Sequence, residues 1–268
     1  MKVVRVQRPP LLREKYYRRP AVFTPENLLR KARRQKRVTK GKVPEICLLD
    51  PDGDLVRHLR RAGATKLSAA WACYHTELYE FDAGGVRLGV VGCAVGASFA
   101  VLVAEEMFAS GCQLVVSVTS AGQILRVRPP PYFVLVTRAL RDEGTSYHYL
   151  PAADYAEIRQ DVLRFARRAF SGSEVAVEEG AVWTTDAPFR ETKRAIAVAR
   201  RQRLLAVEME SAALYAFATA RKRPVLCLAH VTNCMARKEG DFEKGEAEGS
   251  VAVLELLGRI AKEWRRRH

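Results

Sequence analysis

Two carboxylates, Glu208 and Glu210, lie on either side of Met209 where an apolar strand meets an alanine-rich helix. A helix start stabilises a nearby acid by about 0.3–1 kcal/mol, so capping explains one glutamate better than two. A carboxylate at a strand end can also accept both hydroxyl protons of a ribose, and its charge can stabilise an oxocarbenium-like transition state. The segment therefore indicates a site for chemistry on a ribose, with helix capping as the alternative.

A second polar segment, residues 184–191, combines a ring that can stack with a side chain that can bind a carbonyl or an anion. Thr185 or Asp186 can cap a helix that begins at Pro188. Phe189 can stack on a base, and Arg190 can donate two hydrogen bonds. The same residues also fit an ordinary capped surface helix, so the segment favours base recognition only in combination with the ribose-type residues.

Two further turns could bind an anion. Small residues fill positions 92–98, where Gly96 precedes a helix, and backbone N–H groups at a helix start attract negative charge. Thr119 and Ser120 end a buried strand and add hydroxyl donors. A tight turn that packs a helix on a sheet explains the glycine turn equally well. The polar and aromatic segment 141–149 is predicted to be a loop that could line a pocket.

The elements that must position these residues alternate along the chain. Apolar, β-branched runs predict strands over 43–49, 86–91, 114–118, 132–137, 175–182 and 225–231. Caps and helical periodicity predict helices from Thr24 to about Arg37, up to Arg61, and over 99–110, 154–170, 188–200, 209–220 and 250–264. This alternation predicts a three-layer α/β fold. Ligands in such folds bind outside the carboxyl ends of the strands.

The charge is uneven along the chain, which predicts a basic N-terminal extension (1–42) followed by one domain (43–268). The chain carries a net charge of +15, and the extension holds 15 of its Lys and Arg residues against 2 Glu. Such a basic arm could bind nucleic acid, or it could pack in an oligomer or remain a solvated surface. No recognised nucleic-acid motif accompanies it, which makes the first of these the minor hypothesis.

The remaining composition bears on compartment and metal content. No run of 18 apolar residues occurs, and residues 1–10 lack the pattern of a secretory signal, so we expect a cytoplasmic protein without a membrane span. The six cysteines form no CxxC pair, which favours reduced core thiols. No cluster of Cys and His has metal-ligand spacing, so we expect no metal site.

Together these segments resemble the nucleoside phosphorylase superfamily, which includes uridine and purine phosphorylases and adenosyl-nucleosidases, and lie closest to the uridine phosphorylase branch. The resemblance covers about residues 43–264 and is most specific at Val207-Glu208-Met209-Glu210-Ser211-Ala212-Ala213. It implies a three-layer α/β/α domain with a central mixed twisted sheet. It also implies that Glu210 binds the 2′ and 3′ hydroxyls and that Met209 lies against the sugar, with Glu208 beside them in the site.

The resemblance also bears on the base. The segment from Asp186 to Arg190 is similar to the base-recognition region of uridine phosphorylases. Asn233 falls where purine-specific relatives have an acid that protonates the purine. Because an amide cannot act as a general acid, Asn233 favours a pyrimidine.

This chain departs from the family at its phosphate site. The usual Gly-Asp-Pro-x-Arg turn reads Leu49-Asp50-Pro51-Asp52-Gly53, and our alignment places Val116 where a second arginine is usual. The Gly96 amides, Thr119 and Ser120 remain as anion donors. His75, Lys66 or a basic residue of a neighbouring subunit could compensate.

The resemblance thus implies phosphorolysis of a uridine-like nucleoside to ribose-1-phosphate and free base, with phosphate as co-substrate and no cofactor. Glu210 and Arg190 would be catalytic. Phe189, Asn233, Gly96, Thr119, Ser120 and His75 would bind substrate with Glu208 and Met209. Hydrolysis on the same fold and a non-catalytic nucleoside-binding relative remain alternatives. Family members also imply a homo-oligomer built from dimers, up to a hexamer.

Overall fold

The computed structural model describes residues 9–38, 41–234 and 243–267. The strands of this part are β1 (Ile46–Asp50), β2 (Lys66–Leu67), β3 (Tyr79–Ala83), β4 (Val86–Gly92), β5 (Leu114–Gln123), β6 (Tyr132–Asp142), β7 (Tyr155–Glu157), β8 (Val177–Thr185), β9 (Ala206–Glu208) and β10 (Val225–Cys234). Its α-helices are α1 (Pro25–Lys36), α2 (Asp54–Arg61), α3 (Ala97–Ala109), α4 (Gln160–Phe170), α5 (Lys193–Arg201), α6 (Ser211–Arg221) and α7 (Ser250–Arg265). None of these helices combines the length and apolar content that crossing a bilayer requires.

The strands of the described residues form one mixed sheet. Strand β1 runs parallel to β4 and β5, and β10 runs parallel to β5 but antiparallel to β6. Because β9 also joins β5 to β8, and β8 pairs with β6, strands β5, β9, β8, β6 and β10 close into a ring. The mixed α/β fold predicted from the sequence is confirmed, and the closure of part of the sheet is an additional feature.

Helices α3 and α6 pack against each other, as do α4 and α7. Helix α6 is buried from Ser211 to Ala218, and this part of its sequence is apolar on almost all sides, as expected for a helix in a core. The hydroxyl of Tyr215, inside this helix, donates to the carbonyl of Val136 at 2.6 Å and accepts the N–H of Cys227 at 3.2 Å. Helix α6 is therefore fixed to β6 and β10, and its first turn has a defined position over the sheet.

Two predicted helices are wrong in part. The helix predicted over 154–170 begins with strand β7, because residues 155–157 pair with β6 and the Arg138 guanidinium lies 4.6 Å from the Tyr155 ring centroid. The helix predicted over 188–200 divides into a 3-10 turn, Pro188–Arg190, and α5. Thr192 causes this break, since its hydroxyl caps α5 by accepting the N–H of Ala195 at 3.2 Å. The segment predicted as a loop from 141 continues β6 to Asp142 before it turns.

The described part of the basic N-terminal extension packs on the rest of the chain. Its helix α1 is capped by Thr24, as predicted, and lies against α3. Ahead of α1, the hydroxyl of Tyr17 donates to the carbonyl of Tyr147 at 3.3 Å, and the Lys15 ammonium lies 3.0 Å from Nδ1 of His148. The extension thus contacts the segment that follows β6. Nucleic-acid binding by the extension stays a prediction.

Leu29 of helix α1 is fully buried in a small cluster with Ala32 and Ala72. Leu29→Ala is expected to lower the free energy of unfolding by about 2–5 kcal/mol, because it removes buried methyl groups and leaves a cavity. Urea denaturation followed by circular dichroism measures the change. Leu67→Ala, at a leucine that is 57% exposed, serves as the control and should change stability little. Equal stability of the Leu29 variant would show that α1 is not part of the cooperative unit.

Candidate active site

The site centres on the turn between β9 and α6. Glu208 is buried there, and its Oε2 accepts the N–H groups of Glu210 at 2.9 Å and Ser211 at 2.8 Å, and the Ser211 hydroxyl at 2.9 Å. Its Oε1 accepts the hydroxyl of Thr184, from the end of β8. Because its oxygen atoms are engaged in this way, Glu208 has the contacts of a positioning residue. Its predicted contact with substrate stays a prediction.

Thr184 links β8 to this turn in both directions. Its hydroxyl donates to Glu208 and accepts the N–H of Ala212 at 3.0 Å, and the residue is fully buried. Thr184→Val keeps the shape but leaves a buried carboxylate oxygen and a buried N–H without this partner. We expect a loss of about 1–3 kcal/mol in the free energy of unfolding, measured by urea denaturation. Thr219→Val, at an exposed position of α6, is the matched control, and a similar loss in both variants would contradict this role.

Glu210 is the second buried acid of this turn. Its Oε1 accepts the N–H of Gly96 at 2.6 Å, and its Oε2 accepts the N–H of Met209 at 3.3 Å. The Thr119 hydroxyl is close enough to lower the pKa of Glu210. Gly96 has a φ of +89°, and a side chain added there would enter open space. The structure thus brings three residues that the sequence singled out, Glu210, Gly96 and Thr119, to one place.

The electrostatics of Glu210 are unusual. Burial, and next to it the negative charge of Glu208, raise the pKa of Glu210 to about 8. Glu210 is 1% exposed, so solvent does little to screen this effect. A ribose that offers two hydroxyl donors would relieve the desolvation and favour the ionised carboxylate.

The next residue of β5, Ser120, binds a different carboxylate. Its N–H donates to Oδ2 of Asp52 at 3.0 Å, and its hydroxyl donates to the same oxygen. Asp52 lies in the turn after β1. Asp52 was not predicted to be a site residue from the sequence. The sequence feature that could have indicated it is the spacing of Asp50, Asp52 and Asp54 at the end of a buried strand.

His230 also lies at this edge and was not predicted. It is aligned with Ser120 in the pairing of β10 with β5, and its ring stacks on Phe133 with a centroid distance of 4.5 Å and an interplanar angle of 9°. Burial and the positive charge of Lys244 lower the pKa of His230 to about 4. The imidazole is therefore neutral at physiological pH.

The other predicted residues have less definite contacts. Phe189 is 99% exposed on the 3-10 turn, and Arg190 beside it is exposed. His75 is exposed, with its ring centroid 6.5 Å from that of Phe99 in α3. Met209 is half-buried in the turn before α6, and Asn233 is half-buried near the end of β10, opposite Gly122 of β5. Their substrate contacts stay predictions.

Across the described ranges, no group of three His, Cys, Asp or Glu side chains is arranged to hold a metal ion. Of the cysteines, Cys93 is exposed, Cys234 is half-buried and the other four are buried, all as free thiols. The exposed Cys93 lies at the end of β4 close to Gly53 of the acidic turn.

Comparison with known proteins shows the family to which this chain belongs. The family model described as "Phosphorylase superfamily" matches residues 45–261. The structure of uridine phosphorylase from Vibrio fischeri ES114 complexed with 6-hydroxy-1-naphthoic acid superposes with a TM-score of 0.68 at 19% identity, covering 85% of this chain and 93% of that one. A second structure of uridine phosphorylase from the same organism gives a TM-score of 0.68 at 17% identity, covering 84% and 93%. No curated protein sequence matches significantly. The family match extends over most of the chain, and the protein belongs to the phosphorylase superfamily.

Proposed function

We propose that this protein cleaves the N-glycosidic bond of a ribonucleoside, with Glu210 binding the 2′ and 3′ hydroxyls. The observation that carries the proposal is the buried Glu210 carboxylate, which is held by the backbone N–H groups of Gly96 and Met209. Glu208 accepts hydrogen bonds from Thr184 and from the N–H of Glu210 and so stabilises the turn. Glu210 therefore has a defined position before substrate binds. A preorganised charge of this kind stabilises the positive charge that develops on a ribose.

In the proposed reaction the bond between C1′ and the base nitrogen breaks, and its electron pair goes to the base. The ribose gains oxocarbenium character, which the Glu210 carboxylate stabilises. Met209 lies against the sugar. The turn that carries Phe189 and Arg190 closes over the base, where Arg190 stabilises the negative charge of the leaving group.

For the base we propose a pyrimidine of the uridine type. Position 233 holds an amide instead of an acid, so it supplies no proton for a purine leaving group. Phosphorolysis to ribose-1-phosphate is the reaction that the family resemblance implies, and hydrolysis to free ribose is the second candidate. Asp52 accepts the N–H of Ser120, which is one of the predicted anion donors, and this contact favours hydrolysis. Assembly into dimers or a hexamer belongs to the same proposal.

The test is an assay of free base released by the purified protein. Uridine, 2′-deoxyuridine, inosine and adenosine are the substrates, and the released base is measured by chromatography. We expect uracil from uridine, and slower release from 2′-deoxyuridine because one hydroxyl donor to Glu210 is missing. The Glu210→Gln variant, prepared in the same way, controls for contaminating enzymes. A folded protein that releases no base from any nucleoside of the panel would refute the proposal.

A further inference from the structure

The described part of the N-terminal extension carries positive charge that the rest of the chain does not neutralise. Residues 9–38 contain ten Lys and Arg residues against two acids, Glu14 and Glu26. Within the described ranges, none of these ten cations forms an ion pair with a carboxylate, and all ion pairs of those ranges join residues beyond position 53. The extension therefore presents unpaired cations to any anionic partner.

Helix α1 arranges several of these cations on its outer face. Its apolar residues Leu29 and Ala32 are buried, whereas Arg30, Lys31 and Arg34 are exposed. Positions 30 and 34 lie on one face of the helix and are about 6 Å apart along its axis. The helix dipole stabilises cations in the last turn, which explains Arg34. It does not explain Arg30 and Lys31, which precede that turn.

A cavity beside α1 combines aromatic rings with guanidinium groups. Phe23, directly before the cap of α1, is 69% exposed. It lines a cavity of about 280 Å³ together with Phe108, Phe217, Arg221 and Arg223. The Arg223 guanidinium lies 5.3 Å from the Phe108 ring centroid. Nucleic-acid bases stack on both kinds of group. Exposed cations alone also fit a solvated surface, so this cavity is the observation that favours a nucleic acid.

Two features argue against an anionic membrane as the partner of this surface. The apolar side of α1 is buried in a cluster of its own chain, so the helix has no apolar face to place in a bilayer. The cavity at Phe23 is also lined by two acids, Glu26 and Glu105. A base can donate N–H hydrogen bonds from its edge to such carboxylates while its face stacks on the ring.

We propose that the extension binds single-stranded nucleic acid through a basic surface formed by Phe23, Arg30, Lys31, Arg34 and Arg223. The cations contact phosphates of the strand, and one base stacks on the Phe23 ring. The phosphate contacts supply affinity that does not depend on sequence. Stacking on the ring selects a strand whose bases are unpaired. This binding is separate from the proposed cleavage of a nucleoside and does not require it.

The first experiment measures how the full chain binds a fluorescently labelled oligouridylate of about 20 nucleotides, by anisotropy at several salt concentrations. We expect the logarithm of the association constant to fall linearly with the logarithm of the salt concentration, with a slope of about −0.7 per contacted phosphate. Excess free uridine should not displace the oligonucleotide, because uridine carries no phosphate. Absence of binding at low salt, or displacement by uridine, would overturn the proposal.

The second experiment removes charge from α1. A triple variant with Arg30→Gln, Lys31→Gln and Arg34→Gln keeps residues that favour a helix. We expect it to bind at least ~10-fold more weakly, with a salt slope that is less steep by about 2, because three phosphate contacts are lost. The matched control removes the same charge at exposed positions of α4, α5 and α7 and should bind as the wild type does; its changes are Arg164→Gln, Arg201→Gln and Lys262→Gln. Equal losses in the two triple variants would mean that net charge alone attracts the strand, and would refute the basic surface.

The third experiment tests the ring. Phe23→Leu keeps an apolar side chain but removes the stacking surface, so we expect binding of the oligouridylate to weaken about fivefold or more. The salt slope should stay the same, because no charge is removed. Binding to a duplex of the same length should not change in this variant, since the bases of a duplex are paired. An unchanged affinity of Phe23→Leu for the single strand would refute stacking on this ring.

Vesicles made of equal parts of phosphatidylcholine and phosphatidylserine test the membrane as the alternative partner. We expect the wild type to bind them no more tightly than the triple variant of α1 that lacks Arg30, Lys31 and Arg34. If that variant loses vesicle binding but binds the oligouridylate as the wild type does, the surface is a membrane site and the proposal is wrong.

Discussion

Glu210→Gln is expected to lower kcat/KM for nucleoside cleavage by roughly 10²–10³-fold, the usual cost of removing one preorganised electrostatic group. Glutamine keeps the shape of the side chain and one oxygen that can accept from Gly96. It loses the negative charge and the capacity to accept two hydroxyl protons. The loss should therefore appear in kcat as well as in KM, because the charge acts mainly when the ribose becomes positive.

The same substitution is expected to stabilise the fold, and the gain should depend on pH. The carboxyl of Glu210 ionises near pH 8 in the folded protein, against about 4.3 in an unfolded chain. Below pH 4 both states hold the proton, so Glu210 costs nothing. As pH rises towards 8 only the unfolded state releases it, and stability falls by up to about 1.4 kcal/mol per pH unit. Glu210→Gln removes this penalty, so its gain should be small at pH 4 and largest at and above pH 8.

Urea denaturation at several pH values, combined with steady-state kinetics on the same samples, measures both effects. Glu255→Gln provides the control, since Glu255 lies on α7 in an exposed pair with Arg259. A Glu210 variant that is inactive and also less stable at pH 8 would indicate a structural acid. A variant with wild-type activity would remove Glu210 from the reaction.

The elements of the fold that could be predicted from sequence are those fixed by local patterns. Helix α6 is an alanine-rich run that begins directly after two glutamates, and α1 begins at a threonine followed by proline. Strands β2, β3 and β7 were missed because they depend on partners elsewhere in the chain. Strand β7, for example, exists because residues 155–157 hydrogen-bond to β6, which no local periodicity encodes.

The candidate site follows the same division. The type and spacing of Glu208 and Glu210 predicted an acidic site at a strand end, and the structure assigns the two acids different contacts. That division could not be predicted, because it depends on Thr184 reaching Glu208 from β8 and on Gly96 reaching Glu210 from the start of α3. Asp52 has the appearance of a turn residue in the sequence. Its contact with Ser120 joins positions 68 residues apart, and only the pairing of β1 with β5 brings them together.

The activity of the wild-type protein should rise with pH up to about 8. Burial and the charge of Glu208 raise the pKa of Glu210 to about 8, so most of the free protein holds a protonated Glu210 at neutral pH. A protonated carboxyl accepts hydroxyl protons less well and carries no charge to stabilise the ribose. Because kcat/KM reports ionisations of the free enzyme, it should increase about tenfold per pH unit below pH 8 and level off above it.

Two other groups have shifted pKa values, and each must be considered as a cause of the pH dependence of kcat/KM. His230 ionises near pH 4 and stays neutral over this range. Burial alone raises the pKa of Glu191 to about 7, and Glu191 directly follows Arg190, which makes it the competing explanation. The residual activity of Glu210→Gln should therefore lose the rise with pH, whereas Glu191→Gln should keep it.

The measurement is kcat/KM for the cleaved nucleoside in buffers of constant ionic strength from about pH 5.5 to 9. In kcat the rise should shift to lower pH, because two hydroxyl donors from bound ribose favour the ionised carboxylate and lower its pKa in the complex. The separation between the two profiles then measures how strongly the sugar binds the charged form. A kcat/KM that falls as pH rises through 8 would mean that the protonated acid is the active form and that Glu210 donates a hydrogen bond instead of supplying a charge. A flat profile would mean that the ionisation of Glu210 does not control the reaction, which contradicts the proposed role of its charge.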